Sequence, residues 1–378
     1  MAAVSTVSPA ATARPVLVTG AMGQLGQPVV HGLLARGHAV VALDRPCGRT
    51  RAAAERMRAD APSGMAFDAT FVDLLDADAV AVQLCRYAPQ AIVHLAAVVS
   101  PPCYKNPMLA RRVNVEGTRN VVQATQALAT PALLIAASSS AVYGSRNPHR
   151  HPERITAATP VNPVECYGED KVAAEQIVAA SGLPFATLRL GGIISPAAIG
   201  LAGPEYFLLM RATPGDNRVH AVDVRDAAAA FVNAVDRQNA IAGKTLLIGG
   251  NESYVLRQRE LEDDVMQAIG LGRLGPYASL PGDPDDERGW GLTDWFDTRE
   301  SQALLGYQQH DWAQTLAWLA SSQGWRRTLT RVLAPVVRPA LLGYLRAQRR
   351  WERRGAYAAP WTLVSQKYGT EILAPSRF

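Results

Sequence analysis

The string TGAMGQLG at residues 19–26 constrains this chain more than any other feature, because of what stands on either side of it. The apolar run Val16–Thr19 precedes it, a segment of helical periodicity at 24–36 follows, and a second apolar run occupies 39–43. Strand, helix and strand in this succession predict a parallel sheet with helical crossovers. Pro28 fits that helix, since proline is tolerated in a first turn. Gly20 permits a tight turn, Gly23 removes a Cβ that would obstruct a pyrophosphate, and Gly26 lets the helix pack close to the strand. The amides at the helix N-terminus then face the phosphates.

Asp44 ends the second run, where a carboxylate suits the hydroxyl pair of an adenosine ribose and repels the extra phosphate of NADP. The expected cofactor is therefore NAD, with NADP second. Arg45 beside it argues the other way, because an arginine can hold the 2′-phosphate.

Further apolar runs at 91–95, 132–137 and Phe185–Leu190 alternate with helical patterns at 75–87, 106–128 and 171–180. Six or more parallel strands with helices on both faces is the α/β solution to that pattern. At 378 residues the chain can bury a large core and divide into two units. The expected organisation is a flexible N-terminal tail at 1–14, an NAD(P)-binding unit at 15–190, a substrate-binding region at 191–323 and a basic amphipathic helical extension at 324–378. Strands near 218–222 and at Lys244–Ile248 are expected to return to the main body, which makes the smaller C-terminal substrate domain discontinuous.

Tyr167 and Lys171 stand four apart at the start of a helical segment, YGEDK, and so share one face. An ammonium near a phenol favours the phenolate and lowers its pKa from an ordinary value of about 10. Ser139, in SSSAVYG at the end of a strand, supplies a hydroxyl that can hold a carbonyl oxygen. Together the three suit reversible interconversion of a secondary alcohol and a ketone by hydride transfer.

In this order, behind such a glycine loop, the sequence resembles the extended short-chain dehydrogenase/reductase family, also called the NAD-dependent epimerase/dehydratase family. The resemblance spans roughly 15–320 and also rests on VDLLD, VHLAA, NVEGTRNV and VHAVDVRDAA. It implies a Rossmann-type doubly wound sheet and an NAD(P)-dependent oxidoreductase. Gly20, Gly23, Gln24, Leu25 and Gly26 would belong to the cofactor loop, Asp73 and Leu74 would lie near the adenine, and His94 with Leu95, Ala96 and Ala97 would line the cofactor. Asn114 would position the active-site helices, Ser139 would be the catalytic serine, Tyr167 the general acid or base, and Lys171 the residue on the nicotinamide ribose. Pro196 would lie near the nicotinamide.

Departures from the family pattern narrow the activity. Dehydratases follow their catalytic threonine with aspartate and glutamate; here Ser140 and Ala141 follow Ser139, which disfavours elimination of water. Nucleotide-sugar epimerases usually present an asparagine after the sixth strand, where this chain has Gly191 and Gly192, and their arginine before a glycine and aspartate pair is replaced by Ser279 and Leu280. Arg189, Arg211, Arg218, Arg288 and Arg299 are the candidates to hold a diphosphate instead. Sugar epimerisation therefore stands as the alternative to net redox chemistry, and a non-catalytic dinucleotide-binding scaffold as a third reading. Trp290 and Trp295 end a run at 271–291 that reads equally as a substrate-facing loop or a plain surface loop.

Charge is unevenly placed. Of the formal net +5, residues 325–355 contribute nine arginines against one glutamate, which leaves about −3 elsewhere and no nucleic-acid surface on the body. Apolar residues recur at helical spacing through this tail, and Pro335 and Pro339 are expected to kink it or divide it into two helices. Peripheral membrane contact through 325–354 and packing against protein are both open. Cys47, Cys85, Cys103 and Cys166 lack metal-site spacing and read as incidental thiols, with no metal expected. No secretory signal is evident, so a cytoplasmic setting is expected. A homodimer is what the resemblance implies.

Overall fold

The computed structural model describes residues 14–200 and 204–374, so the expected tail lies outside the described residues apart from Arg14. That arginine is not loose: its guanidinium donates to Ala88 O, Pro89 O and Thr130 O. The strands of the described residues are β1 (Val16–Thr19), β2 (Val40–Asp44), β3 (Phe67–Phe71), β4 (Ala91–His94), β5 (Leu133–Ser139), β6 (Phe185–Leu190), β7 (Gly192–Ile194), β8 (Arg218–Asp223), β9 (Lys244–Ile248) and β10 (Val255–Arg257).

Seven of them form one parallel sheet in the order β3-β2-β1-β4-β5-β6-β9. The order reverses between β1 and β4, and a doubly wound sheet opens its crevice there, at the carboxyl ends of the strands. Both faces of β1 are buried. Val16 and Val18 join one core with Val29 and Leu33 of helix Gly26–Ala35 and Phe231 of helix Val224–Asp236. Leu17 joins the other, with Leu84 of helix Ala77–Tyr87 and Val121 of helix Gly117–Gln126. Successive side chains point to opposite faces, so a central strand covered on both sides must be apolar throughout.

Edge strand β3 and helix Gly48–Asp60 carry no strong apolar pattern and were not expected. β9 joins the main sheet as anticipated. β8 does not: it pairs with β7 in parallel and with β10 in antiparallel to form a separate three-stranded sheet. Gly191 is where the chain leaves β6 for this second sheet, and a Cβ there would stand 2.3 Å from His220 O.

One alternative expected for the C-terminal region, division into two helices, is corrected. Residues 325–351 are one helix, Trp325–Trp351, undivided by Pro335 and Pro339. Each proline removes an N–H from the ladder, and the carbonyls left over belong to Arg331 and Pro335, which are exposed and open to water. The chain then turns back onto the body. Helix Pro360–Tyr368 packs on helix Pro204–Ala212, and Ala374 N donates to Val164 O. No helix among the described residues is long and apolar enough to cross a membrane.

Candidate active site

The glycine loop runs from β1 into helix Gly26–Ala35 at the sheet's point of reversal. Gly20 has φ +67°, and a Cβ on it would meet Ala96 Cα and N at 2.8 Å, so the loop lies directly on the chain leaving β4. A Cβ on Gly26 would stand 2.2 Å from Gly20 O, which makes glycine necessary for this helix to start so close to the strand. Gly23, Gln24 and Leu25 complete the turn ahead of the helix amides. Asp44, at the tip of β2, accepts from Met22 N at 2.9 Å and Arg45 N at 2.8 Å, which ties the loop to the second strand. Arg45 and Asp73 are exposed, and Leu74 is buried beneath Gly117. The backbone and donor set fit a dinucleotide: a loop with glycine at its three closest approaches, at a helix N-terminus, with a carboxylate at the next strand end.

A buried relay underlies the site. Thr118 Oγ1 donates to Asn114 O at 2.6 Å, so it accepts from His94 Nε2, at 3.0 Å. His94 Nδ1 then accepts from Thr19 Oγ1 at 2.7 Å, and Thr19 Oγ1 in turn lies 3.3 Å from Ala96 N. Burial, with the Lys171 charge nearby, pushes the His94 pKa down to about 3, so the ring is neutral. His94 therefore fastens β1 and β4 to the helix behind them, whereas Leu95, Ala96 and Ala97 are the partly open residues of that strand end. Asn114 lies in a π turn at 112–116, accepts from Val98 N at 2.8 Å and donates to Asp170 Oδ2 at 3.3 Å. Such turns inside helices concentrate at functional sites.

Helix Cys166–Ala179 carries Tyr167 and Lys171. Glu165 caps it, accepting from Gly168 N at 2.6 Å and Tyr167 N at 2.8 Å. A Cβ on Gly168 would stand 2.5 Å from Ala141 O, so the helix start presses onto the turn Ser140–Tyr143 that follows Ser139. Lys171 Nζ donates to Ala137 O at 2.8 Å and stands 5.9 Å from the centroid of the Tyr167 ring. Burial lowers the Lys171 pKa to about 8 and raises those of Glu165 to about 7 and Asp170 to about 6.

Of the three consecutive serines, Ser138 and Ser140 are buried and Ser139 is partly open. Ser139 Oγ accepts from Ala141 N at 3.2 Å, which leaves its own proton for another acceptor. Pro196 begins a short helix after β7, next to Ser195, whose hydroxyl accepts from Gln24 Nε2 at 2.6 Å. That link between the glycine loop and the far side of the crevice has no local sequence signal.

Other expected residues fall elsewhere. Arg189 is held by Glu175 through two hydrogen bonds of 2.9 and 2.6 Å, Arg211 pairs with Glu352, and Arg299 pairs with Asp297. Arg218 stacks on Trp295 and donates to His151 O. Trp290 is wholly buried and Trp295 Nε1 donates to Leu256 O, so both pin the 271–291 loop to the body. Cys103 and Cys166 are not incidental neighbours. Their sulfurs and a Glu165 carboxylate oxygen lie within 4.8 Å of one another. The Glu165 oxygens already serve the helix cap, so this trio is a packed polar cluster. The largest surprise is the wall beyond it: Leu363, Val364 and Ile372 from the C-terminal segment pack in one core with Cys103, Tyr104 and Tyr167.

Residues 16–249, more than half of the chain, match the NAD dependent epimerase/dehydratase family, and the chain belongs to that family. It is 35% identical over 161 residues to the UDP-glucose 4-epimerase of Mycolicibacterium smegmatis, covering 42% of this chain and 48% of that one. It is 34% identical over 179 residues to methionine adenosyltransferase 2 subunit beta of Bos taurus, covering 47% and 46%. The chain thus spans about half the length of the curated relatives it matches. Among solved structures, the Thermus thermophilus UDP-glucose 4-epimerase in complex with NAD superposes with a TM-score of 0.64 at 25% identity, over 82% of this chain and 99% of that one. The Stenotrophomonas maltophila UDP-glucose-4-epimerase, with bound NAD and formylated UDP-arabinopyranose, gives a TM-score of 0.66 at 24% identity over 84% and 99%.

Proposed function

We propose that this chain binds NAD and exchanges a hydride with a secondary carbinol of a nucleotide sugar in an epimerase cycle, oxidising the carbon and reducing it again on the other face. The observation that carries the reading is the Tyr167 and Lys171 pair, with the buried ammonium held to Ala137 O at 2.8 Å. Gly20, Gly23, Gln24, Leu25 and Gly26 would hold the pyrophosphate, Asp44 and Arg45 the adenosine ribose, Asp73 and Leu74 the adenine. Leu95, Ala96, Ala97 and Pro196 would flank the rest of the cofactor, with Asn114 fixing the helix behind it. NAD, when bound, accepts and returns the hydride.

The protein's own part is the proton. Tyr167 takes it from the substrate hydroxyl at its phenolic oxygen and gives it back; Lys171, charged below its pKa of about 8, favours the phenolate and would also hold the nicotinamide ribose. Ser139 donates its uncommitted proton to the substrate oxygen. Ser140 and Ala141 offer no acid for dehydration. The similarity to UDP-glucose 4-epimerases supports the nucleotide-sugar substrate, and the family's pairing habit supports a homodimer.

A second reading, net oxidation or reduction of an alcohol without a diphosphate, is favoured by one observation: Arg189, Arg211, Arg218 and Arg299 are all committed to protein partners. The purified protein incubated with UDP-glucose or UDP-galactose is expected to form the epimer with no added NAD and no accumulation of NADH. The Tyr167→Phe variant should lose about two to four orders of magnitude of that rate while still binding NAD. NADH released in step with a ketone product would decide for net redox. NAD retained with no turnover, or a Tyr167→Phe variant as active as the parent, would leave the scaffold reading.

A further inference from the structure

Helix Trp325–Trp351 is covered along one face only. Ala334, Leu341 and Leu342 pack on Met266, Ile269, Leu271, Leu274 and Ala278, and Leu345 is buried on the same side. Arg327 Nε donates to Ala268 O and Arg349 to Tyr277 O and Ala278 O, which fastens the helix at both ends of that contact. The opposite face is bare and apolar.

Trp325 is 72% exposed, Val332 70%, Val336 73% and Trp351 85%, and Leu329 continues the same line. Small residues Ala340, Gly343 and Ala347 are exposed in the gaps. At 3.6 residues per turn these positions fall on one stripe, which runs the length of the helix, about 40 Å. An exposed apolar strip of that length with aromatic residues at both ends is not the surface of an ordinary solvated helix.

The charges decide what covers it. The helix carries seven arginines and no acidic residue. By helical spacing Arg326, Arg346 and Arg350 border the bare stripe; all three are exposed, and among the described residues no ion pair joins them to a carboxylate. Arg331 and Arg338 belong to the packed side, where they line a groove of about 440 Å³ against Gly270 and Gly272, bordered by Pro335 and Pro339. A second copy of the same stripe would bring arginine against arginine, which opposes self-association. A surface of lipid phosphates offers the complementary charge, an apolar layer beneath it, and the interfacial zone that tryptophan and tyrosine occupy.

We propose that residues 325–351 lie in the plane of an anionic membrane surface, with the Trp325 to Trp351 stripe seated at the acyl boundary and Arg326, Arg346 and Arg350 among the headgroup phosphates. This surface is independent of the enzymatic reading, since none of its residues belongs to the candidate active site.

The full chain is tested by cosedimentation with vesicles of phosphatidylcholine alone and of phosphatidylcholine mixed with phosphatidylglycerol. Binding is expected to the mixed vesicles, weakening as salt screens the arginines but not vanishing. Val332→Glu together with Val336→Glu should weaken it about tenfold or more, and Arg326→Gln with Arg350→Gln should lower both the affinity and its salt dependence. All four side chains are exposed, so thermal unfolding of each variant should match the parent. Failure of the parent chain to bind the mixed vesicles overturns the proposal, as does undiminished binding by the Val332 and Val336 variant. A dimer that this variant dissociates, without vesicle binding, would assign the stripe to a second copy instead.

Discussion

Lys171 is the residue where function and stability pull apart. Its pKa is about 8 in the fold against an ordinary 10.5, with burial as the cause. Between those two values the unfolded chain holds the proton more tightly, so stability of the cofactor-free protein rises with pH across that window, and below it the full cost of the buried charge is present. Lys171→Met removes that cost at pH 7 along with the hydrogen bond to Ala137 O. Its melting temperature at pH 7 is expected at or above the parent's, with the gap closing above pH 8, while turnover falls at least about a hundredfold. A melting temperature lower by more than about 5 °C would mean that the ammonium stabilises the fold, contrary to this account. Asn114, Thr118 and His94 illustrate the opposite case: none of their groups titrates near neutral pH, and together they hold the helix that positions Asp170 and Lys171.

The joint between β1 and helix Gly26–Ala35 is an element property, because it depends on how near the helix can begin to the strand. Gly26→Ala would place a Cβ 2.2 Å from Gly20 O and 2.6 Å from Ala21 O, both backbone atoms that move only with the whole loop. The variant is expected to lose about 1–3 kcal/mol of stability, and its NAD affinity should fall about tenfold or more as the loop shifts away from Asp44. Gly37→Ala is the control: its φ of +83° strains an alanine, but open space surrounds it. It should cost about 1 kcal/mol with NAD binding unchanged. Equal NAD affinities in the two variants, measured by calorimetry, would remove the close-packing argument.

Across the whole molecule, the C-terminal segment matters as more than a tail. Leu363, Val364 and Ile372 are buried against Cys103, Tyr104 and Tyr167, and Trp361 Nε1 donates to Ser145 Oγ at 3.0 Å. Ending the chain after Tyr357 would uncover that wall. At about 1.5–3 kcal/mol for each large apolar side chain, the loss is on the order of 5 kcal/mol. The truncated protein should unfold at markedly lower denaturant concentration, and its unfolding curve compared with the parent's checks this; an unchanged midpoint would show that the segment merely rests on the body.

What the amino-acid order determined alone is what short-range physics controls. Apolar runs of four to seven residues specify buried parallel strands, glycine at 20 and 26 specifies the loop, and the spacing of Tyr167 and Lys171 puts them on one helix face. Asp44 at a strand tip and Ser139 at a strand end were legible for the same reason. Tertiary packing alone decided the partners: Gln24 with Ser195, Cys103 beside Cys166, and Arg189, Arg211, Arg218 and Arg299 each with a carboxylate or carbonyl. It also sent β8 to a second sheet and brought 360–374 back to Tyr167. These contacts join residues far apart in the chain, where no local pattern encodes the choice, and the competition to bury apolar surface while satisfying every buried polar group selects among them only once the sheet has formed.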